Sequence, residues 1–122
     1  MIIQLISSNN PEDFDEIELN PTQEKYFEAV FNDDLTINTN NKYKEFAFYG
    51  GYRAGKSFVQ QLTMYLICNK YNNIRCVYVR NTYPELKDTV IPQFRGAFEK
   101  YGTFNYVESS KDGSHIAKFA IS

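Results

Sequence analysis

Hydrophobic residues in the centre of the chain follow patterns that predict a strand, a helix and a second strand. Residues 45–49 are almost continuously apolar, as in a strand that is buried on both faces. Apolar residues then recur at helical spacing from Phe58 to Leu66, and residues 74–79 are rich in β-branched side chains. This order predicts an α/β fold with a βαβ unit, whose two strands are parallel and whose connection is right-handed.

The segment before this unit predicts one short helix. Residues 1–19 form an acidic lead-in, and because residues 7–20 lack helical or strand periodicity we expect irregular structure there. The sequence Asn-Pro-Thr-Gln at 20–23 has the spacing of a helix N-terminus with a capping box. We expect this helix to end near Asn32 and to be followed by a polar surface loop over residues 32–44.

The segment after the unit predicts a long helix and a hairpin. Thr82 begins a helical pattern with the spacing of a capping box. Pro92 lies inside this pattern and is expected to kink or divide the helix, because it has no backbone N–H to donate. Residues 104–107 and 115–121, on either side of a turn at 112–113, predict an antiparallel β-hairpin.

The composition favours a folded, non-secreted protein. The chain has 122 residues, of which 43% are hydrophobic and 23% charged, as in one globular domain. No apolar run reaches the ~18 to 20 residues needed to cross a bilayer, and the first residues lack the pattern of a signal peptide. We therefore expect a cytoplasmic protein without membrane contact, in which Cys68 and Cys76 are free, buried thiols.

Charge is distributed unevenly along the chain. Residues 1–34 carry a net charge of −8 and the remaining residues carry +6, which gives −2 overall. The basic part is expected either to attract a polyanion or to form a solvated surface that the acidic part neutralises. The basic residues are spread out and match no nucleic-acid-binding motif.

One segment carries specific chemistry. It fits the phosphate-loop pattern G-x-x-x-x-G-K-[ST] at every required position, after a predicted strand and before a predicted helix. Glycines let the backbone pass close to a polyphosphate, and the amides there and in the first helical turn point at the anion. The candidate nucleotide-binding residues are Gly50, Gly51, Tyr52, Arg53, Ala54, Gly55, Lys56 and Ser57.

The side chains of this segment have different expected roles. Lys56 is expected to contact the β and γ phosphates, and the Ser57 hydroxyl to coordinate Mg²⁺. Arg53 is either an arginine finger supplied in cis to the γ-phosphate or a solvated, structural side chain. For the segment as a whole, the alternative is a glycine-rich turn between strand and helix with a solvated lysine.

The order and spacing of the elements resemble the N-terminal ATPase region of phage terminase large subunits, the motors that package double-stranded DNA into proheads. The resemblance covers residues 19–121 and is carried by Asn-Pro-Thr-Gln at 20–23, by the strand that enters the phosphate loop, and by Val-Arg-Asn-Thr at 79–82. It implies that residues 20–122 are a partial P-loop ATPase domain.

The resemblance also implies ligands and partners. ATP with Mg²⁺ is the expected ligand, held by Lys56 and Ser57. In the intact family the partners are double-stranded DNA, the portal and the small terminase subunit, in the cytoplasm of the bacterial host. Gln23 would be the residue that reads adenine, whereas its position alone is equally explained by a helix capping box.

The sequence departs from this family in its carboxylates. Family members have an apolar strand that ends in Asp-Glu, in which the Asp helps to hold Mg²⁺ and the Glu activates water, and a separate nuclease domain. Here residues 74–79 are followed by Arg80, and no apolar run ends in two acids. We therefore expect a truncated motor domain with little hydrolysis of its own, whose open strand edges lead to a homo-oligomer or a rearranged sheet.

Two other functions stay open from the sequence. One is a non-catalytic phage or prophage assembly or interaction protein that retains the phosphate loop. The other is a small P-loop kinase or GTPase-like enzyme, which is disfavoured because no lid or base-recognition motif is found. The single histidine, His115, is expected to be a surface residue of a strand rather than a catalytic group.

Overall fold

The computed structural model describes residues 1–40, 56–80, 82–108 and 114–119. The elements in chain order are β1 (Ile2–Ile6), β2 (Phe14–Glu18), α1 (Pro21–Val30), α2 (Lys56–Lys70), α3 (Tyr83–Glu85), a π-helical turn (Leu86–Val90), α4 (Ile91–Phe98), a 3₁₀ turn (Glu99–Tyr101), β3 (Phe104–Glu108) and β4 (His115–Phe119). The protein therefore mixes helices and strands, as predicted. Within the described residues both sheets have two antiparallel strands, β1 with β2 and β3 with β4.

Only the helix of the predicted parallel βαβ unit is confirmed. α2 covers the whole predicted helical stripe from Phe58 to Leu66 and begins two residues before it, at Lys56. Residues 74–79 belong to no strand of the described chain, and Val77 and Val79 are 75% and 78% exposed. The prediction of a strand there was wrong because β-branched residues form a strand only where a neighbouring backbone and a packed face are provided. The predicted strand at residues 45–49 lies outside the described residues.

The acidic lead-in contains an antiparallel hairpin. β1 pairs with β2 in a register that places Gln4 opposite Glu16 at its centre. Ile3, Leu5 and Leu19 are buried, while the acidic side chains of β2 stay in solvent. The prediction of irregular structure over residues 7–20 is confirmed for residues 7–13 and was wrong for β2. Burial of one aliphatic face stabilises strands whose own sequence carries little alternation.

α1 begins as its sequence predicts. The Asn20 side chain accepts a hydrogen bond from the Gln23 N–H at 2.9 Å, and Gln23 Oε1 accepts one from the Asn20 N–H at 3.0 Å. This is a complete capping box, and Pro21 takes the first helical position, where a missing N–H costs no bond. In the predicted loop that follows, Phe31 and Ile37 form an isolated antiparallel bridge.

The helical segment after Thr82 is divided next to Pro92, as predicted. Thr82 Oγ1 accepts a hydrogen bond from the Glu85 N–H at 3.3 Å and caps α3. The π-helical turn follows, in which the Ile91 N–H donates to the Leu86 carbonyl five residues earlier. This wider turn brings Pro92 into the first turn of α4, where its missing donor is tolerated.

The C-terminal hairpin is confirmed. β3 and β4 pair antiparallel from Phe104 opposite Phe119 to Glu108 opposite His115. Gly102, just before β3, has a φ of +70°, a left-handed conformation that glycine adopts without strain. The predicted turn at residues 112–113 lies outside the described residues.

The core is centred on aromatic rings from α2, α4 and the C-terminal hairpin. The Tyr65 ring stacks on Phe98 with 4.6 Å between centroids, and meets Phe104 and Phe119 edge-on. The buried Tyr65 hydroxyl is hydrogen-bonded to Thr103 Oγ1 at 2.7 Å. Such aromatic pairs contribute about 0.5–1.5 kcal/mol each beyond the burial of their area, so this cluster fixes α2 relative to the hairpin.

The two cysteines match the expectation from composition in part. Cys68 and Cys76 are free, as predicted, but half-buried rather than fully buried. Burial, together with a hydrogen bond to Cys76, raises the pKa of the Cys68 thiol to about 12, so it remains protonated and unreactive at neutral pH.

Among the helices of the described residues, none combines the length and the apolar character of a bilayer-crossing segment.

Candidate functional site

The structure describes the C-terminal end of the predicted phosphate loop. α2 begins at Lys56, so the Lys-Ser pair of the motif occupies the first turn of a helix, as the motif requires. The Ser57 side chain is exposed there. The other residues of the motif lie outside the described residues, as does the Lys56 side chain; they are Gly50, Gly51, Tyr52, Arg53, Ala54 and Gly55.

The first turn of α2 is chemically suited to an anion and its metal. The first N–H groups of a helix have no partner within it and carry partial positive charge. This turn contains no acidic residue that would repel a phosphate. The described residues hold no group of three or more His, Cys, Asp or Glu side chains that would bind a metal by itself. The exposed Ser57 hydroxyl is one oxygen donor at this turn, of the hard type that Mg²⁺ binds.

The core holds α2 in place below this turn. Val59 and Leu62 are completely buried, and Thr63 Oγ1 donates a hydrogen bond to the Val59 carbonyl at 2.7 Å. Gln61, also completely buried, donates through Nε2 to Gln93 Oε1 at 3.0 Å and so connects α2 to α4. A phosphate-binding first turn on this helix would be positioned by the whole core.

α1 contacts α2 at Tyr26, which lies one helical turn after Gln23, the residue expected to read adenine. Burial raises the pKa of Tyr26, and a hydrogen bond with Thr63 of α2 opposes that rise. Gln23 is buried, and its Oε1 is engaged by the Asn20 N–H in the helix cap. The capping role of Gln23 is thereby confirmed, and its adenine-reading role stays a prediction.

A cavity of about 350 Å³ lies beside the contact between α1 and α2. Tyr78 Oη donates a hydrogen bond to Gln60 Oε1 across it at 3.4 Å. Gln60 is three residues after Ser57, which corresponds to about 4.5 Å along the helix axis. The cavity walls combine apolar and polar side chains, namely Tyr26, Gln60, Thr63, Met64, Val77, Tyr78, Val79 and Arg80.

A second cluster of polar side chains surrounds His115. Tyr83 Oη lies 2.9 Å from His115 Nε2, and Tyr106 Oη makes a short hydrogen bond with His115 Nδ1. A tyrosine hydroxyl can donate or accept, so each can pair with either kind of ring nitrogen. The three side chains connect the C-terminal hairpin to α3. Both ring nitrogens of His115 are therefore engaged by tyrosine hydroxyls.

Arg95 lies next to this cluster and has its charge already paired. It makes two hydrogen bonds to Glu99, of which the one from Nη2 to Oε1 is 3.0 Å long, and its guanidinium lies 4.1 Å from the centre of the Tyr106 ring. The hydrogen bonds from Arg95 lower the pKa of the Glu99 carboxyl. The neighbouring cavity of about 490 Å³, which Lys87 and Glu108 also line, therefore has no unpaired guanidinium for an anion.

Sequence reasoning missed the cluster around His115. The prediction of a strand residue is confirmed, but the side chain is half-buried between two tyrosines. Tyr83 lies 32 residues from His115 along the chain. A single sequence carries no signal for a pair so far apart, because neither periodicity nor turn chemistry extends over that distance.

Comparisons with known proteins add no family to this geometry. No protein-family model, no curated protein and no solved structure matches the chain. Function is therefore inferred from the phosphate-loop sequence and the helices around it.

Proposed function

We propose that this chain binds ATP with Mg²⁺ through residues 50–57, as the nucleotide-binding part of a terminase-like DNA-packaging ATPase. One observation carries the proposal: a complete G-x-x-x-x-G-K-S sequence leads directly into α2, whose first turn is Lys56 and Ser57. An ordinary glycine-rich turn requires neither the lysine nor the hydroxyl at the two positions where a nucleotide needs them.

Each residue of the proposed site has a role that follows from its chemistry. The backbone amides of residues 50–55 surround the phosphates, and Lys56 supplies a point charge to the β and γ groups. Ser57 supplies a hydroxyl ligand to Mg²⁺, which neutralises phosphate charge when it is bound. Arg53 is proposed to reach the γ-phosphate.

The organic part of the nucleotide is proposed to lie towards α1. Gln23 and Tyr26 are one turn apart on that helix, and the cavity of about 350 Å³ adjoins Tyr26 and the second turn of α2. Its apolar and aromatic walls suit a purine ring, while the Gln60 amide offers polar contacts. This placement makes Gln23 the proposed adenine reader beside its confirmed role as a helix cap.

The terminase assignment is supported by the order of helix starts. α1 has its capping box at residues 20–23, α2 begins at the Lys-Ser pair, and Thr82 caps the next helix. Under this proposal the chain belongs to a P-loop ATPase domain, works in the host cytoplasm, and meets DNA, portal and small terminase subunit in a larger assembly. Hydrolysis by this chain is proposed to be close to background, because no apolar run of its sequence ends in two acids.

A thermal-shift experiment with a nucleotide series tests the proposal. ATP with Mg²⁺ at 100 times its dissociation constant should stabilise the fold by about 2.7 kcal/mol, and AMP should do much less because it lacks the β and γ phosphates. Lys56→Ala should abolish the shift. Lys25→Ala, which removes an exposed lysine from α1, is the matched control and should leave the shift unchanged.

The same experiment separates the other functions. A preference for GTP over ATP would indicate a GTPase-like or kinase-like enzyme. A response to inorganic phosphate without any nucleotide preference would indicate an assembly protein that retains only the loop. Turnover of ATP at the rate of an intact ATPase would show that a catalytic base is present and would refute the proposed low hydrolysis.

A further inference from the structure

The two edges of the N-terminal hairpin differ in charge. β2 has the sequence FDEIE and carries Asp15, Glu16 and Glu18. β1 has the sequence IIQLI and carries no charge. Natural sheets protect an open edge with charged side chains, because an unprotected edge pairs with another strand. In this hairpin β2 is protected in that way and β1 is not.

Backbone geometry leaves the polar groups of β1 facing outward. The hairpin is closed at its ends by hydrogen bonds from the Leu19 N–H to the Met1 carbonyl and from the Ser7 N–H to the Asp13 carbonyl. Bonded and non-bonded pairs alternate along an antiparallel ladder, so the N–H and C=O groups of residues 2, 4 and 6 point away from β2. Among the described residues, no strand pairs with this edge of β1.

The sequence of β1 is complementary to itself. If a second copy pairs antiparallel about Gln4, each Ile2 lies opposite an Ile6 and the two Gln4 residues lie opposite each other. Ile2 and Ile6 are 58% and 49% exposed in the single chain, so the pairing covers apolar surface that is now in water. Pairing through β2 would instead place acids near acids.

We propose that the outer edge of β1 is a homodimer interface. Two copies join through a two-fold axis near Gln4, and the two hairpins form one continuous four-stranded antiparallel sheet. The contact consists of one strand pair, which is small, so the dimer is weak and concentration-dependent. This interface is independent of the proposed nucleotide site, and either proposal stands if the other fails.

Sedimentation velocity over a concentration series tests the interface. Wild type should shift from monomer to dimer as concentration rises. Gln4→Lys places two ammonium groups opposite each other and should weaken dimerisation about fivefold or more. Asn69→Lys, at an exposed position near the end of α2, makes the same charge change elsewhere and should dimerise like wild type. A wild type that stays monomeric throughout, or a Gln4→Lys protein that dimerises like wild type, would overturn the proposal.

A cross-linking experiment does not depend on the stability of the lysine variant. In a Cys68→Ser/Cys76→Ser background, Gln4→Cys should form a disulfide-linked dimer under mild oxidation, because bonded antiparallel pairs have Cα atoms about 5.5 Å apart, within disulfide range. Glu16→Cys places a thiol opposite Gln4 on the other strand and should cross-link far less. Equal cross-linking at both positions, or none at position 4, would refute the pairing.

Discussion

The two hairpins share one architecture, two five-residue antiparallel strands, but they are held to the molecule in different ways. The C-terminal hairpin packs aromatic rings on the helices: Phe104 lies 5.5 Å from Phe94 and Phe119 lies 5.6 Å from Tyr65 between ring centroids. The N-terminal hairpin buries aliphatic side chains on one face only. Its position is set in addition by polar contacts to the short segment that precedes β3.

That polar corner joins the two hairpins. Tyr101 Oη donates a hydrogen bond to Asp15 Oδ2 at 2.7 Å, and the Ser8 N–H donates to the Tyr101 carbonyl at 2.8 Å. Ser8 Oγ donates to the Gly102 carbonyl at 2.9 Å. The C-terminal hairpin therefore depends mainly on the aromatic core, with the contact between His115 and Tyr83 of α3 in addition. The N-terminal hairpin depends on a smaller aliphatic face and a few specific hydrogen bonds.

The largest expected effect comes from removing the aromatic support of the C-terminal hairpin. Phe98→Ala deletes a fully buried ring that stacks on Tyr65 and lies 5.2 Å from Phe94. We expect a loss of about 3–5 kcal/mol in the free energy of unfolding, measured by urea titration. Phe14→Ala removes a ring that is 45% exposed and should cost far less. Equal losses in the two variants would contradict the aromatic core described above.

Removing one aliphatic side chain should affect the N-terminal hairpin selectively. Leu5→Ala creates a cavity under β1 and should cost about 2–3 kcal/mol, while Ile2→Ala, at an exposed position of the same strand, should be nearly neutral. Hydrogen exchange should show lost protection in β1 and β2 with β3 and β4 still protected. Uniform loss of protection in both hairpins would mean that they unfold as one unit.

Sequence-based prediction succeeded for the C-terminal hairpin and failed for the N-terminal hairpin. α1, α2 and the C-terminal hairpin have local signals: a capping box, a helical stripe and a turn between alternating strands. The N-terminal hairpin was missed because its aliphatic face is buried in a core whose other members are distant in sequence, and because contacts such as Tyr101 with Asp15 join residues 86 positions apart. For residues 74–79 the error is the reverse, because a strand was predicted where none is found. Their β propensity is strong, but they have no strand partner in the described chain.

In the candidate site, too, the features with a local sequence signal were predicted and the contacts between distant residues were not. The sequence alone places Lys56 and Ser57 in the first turn of a helix, and the structure confirms that helix start. The contact between Tyr26 and Thr63 and the cluster around His115 were not predicted, because each joins elements that are distant in sequence. A phosphate loop is recognisable from sequence since all of its residues are consecutive.

Substitution of Gly102 tests whether the backbone of the polar corner is held in the left-handed conformation described above. Its φ of +70° is costly for any residue with a Cβ, and a Cβ there would lie 2.9 Å from Ser8 Oγ. Gly102→Ala should therefore destabilise the protein by about 1–2 kcal/mol. The same substitution at Gly96, in α4 with no atom within 4 Å of the added Cβ, should stabilise it by about 0.5–1 kcal/mol. A neutral Gly102→Ala would show that the corner is not held in this conformation.

The smallest expected effect is a pH dependence from Asp15. Hydrogen bonds from Tyr101 and then Lys100 lower the pKa of this carboxyl below its ordinary value of 3.8. The folded state therefore favours the carboxylate, so the stabilisation is present above pH 3.8 and is lost as pH falls through the lowered pKa. Asp15→Asn should flatten the acid side of a stability–pH curve measured by thermal melts. Asp88→Asn, on the exposed π-helical turn, is the control that should retain the wild-type curve.

The central claim is that a nucleotide binds at the start of α2, and isothermal titration calorimetry with Mg²⁺ and ATP tests it directly. We expect saturable one-to-one binding to wild type and Lys25→Ala, and no detectable heat of binding with Lys56→Ala, while circular dichroism shows all three proteins folded. Equal binding to the three proteins, or none to wild type, would contradict the claim.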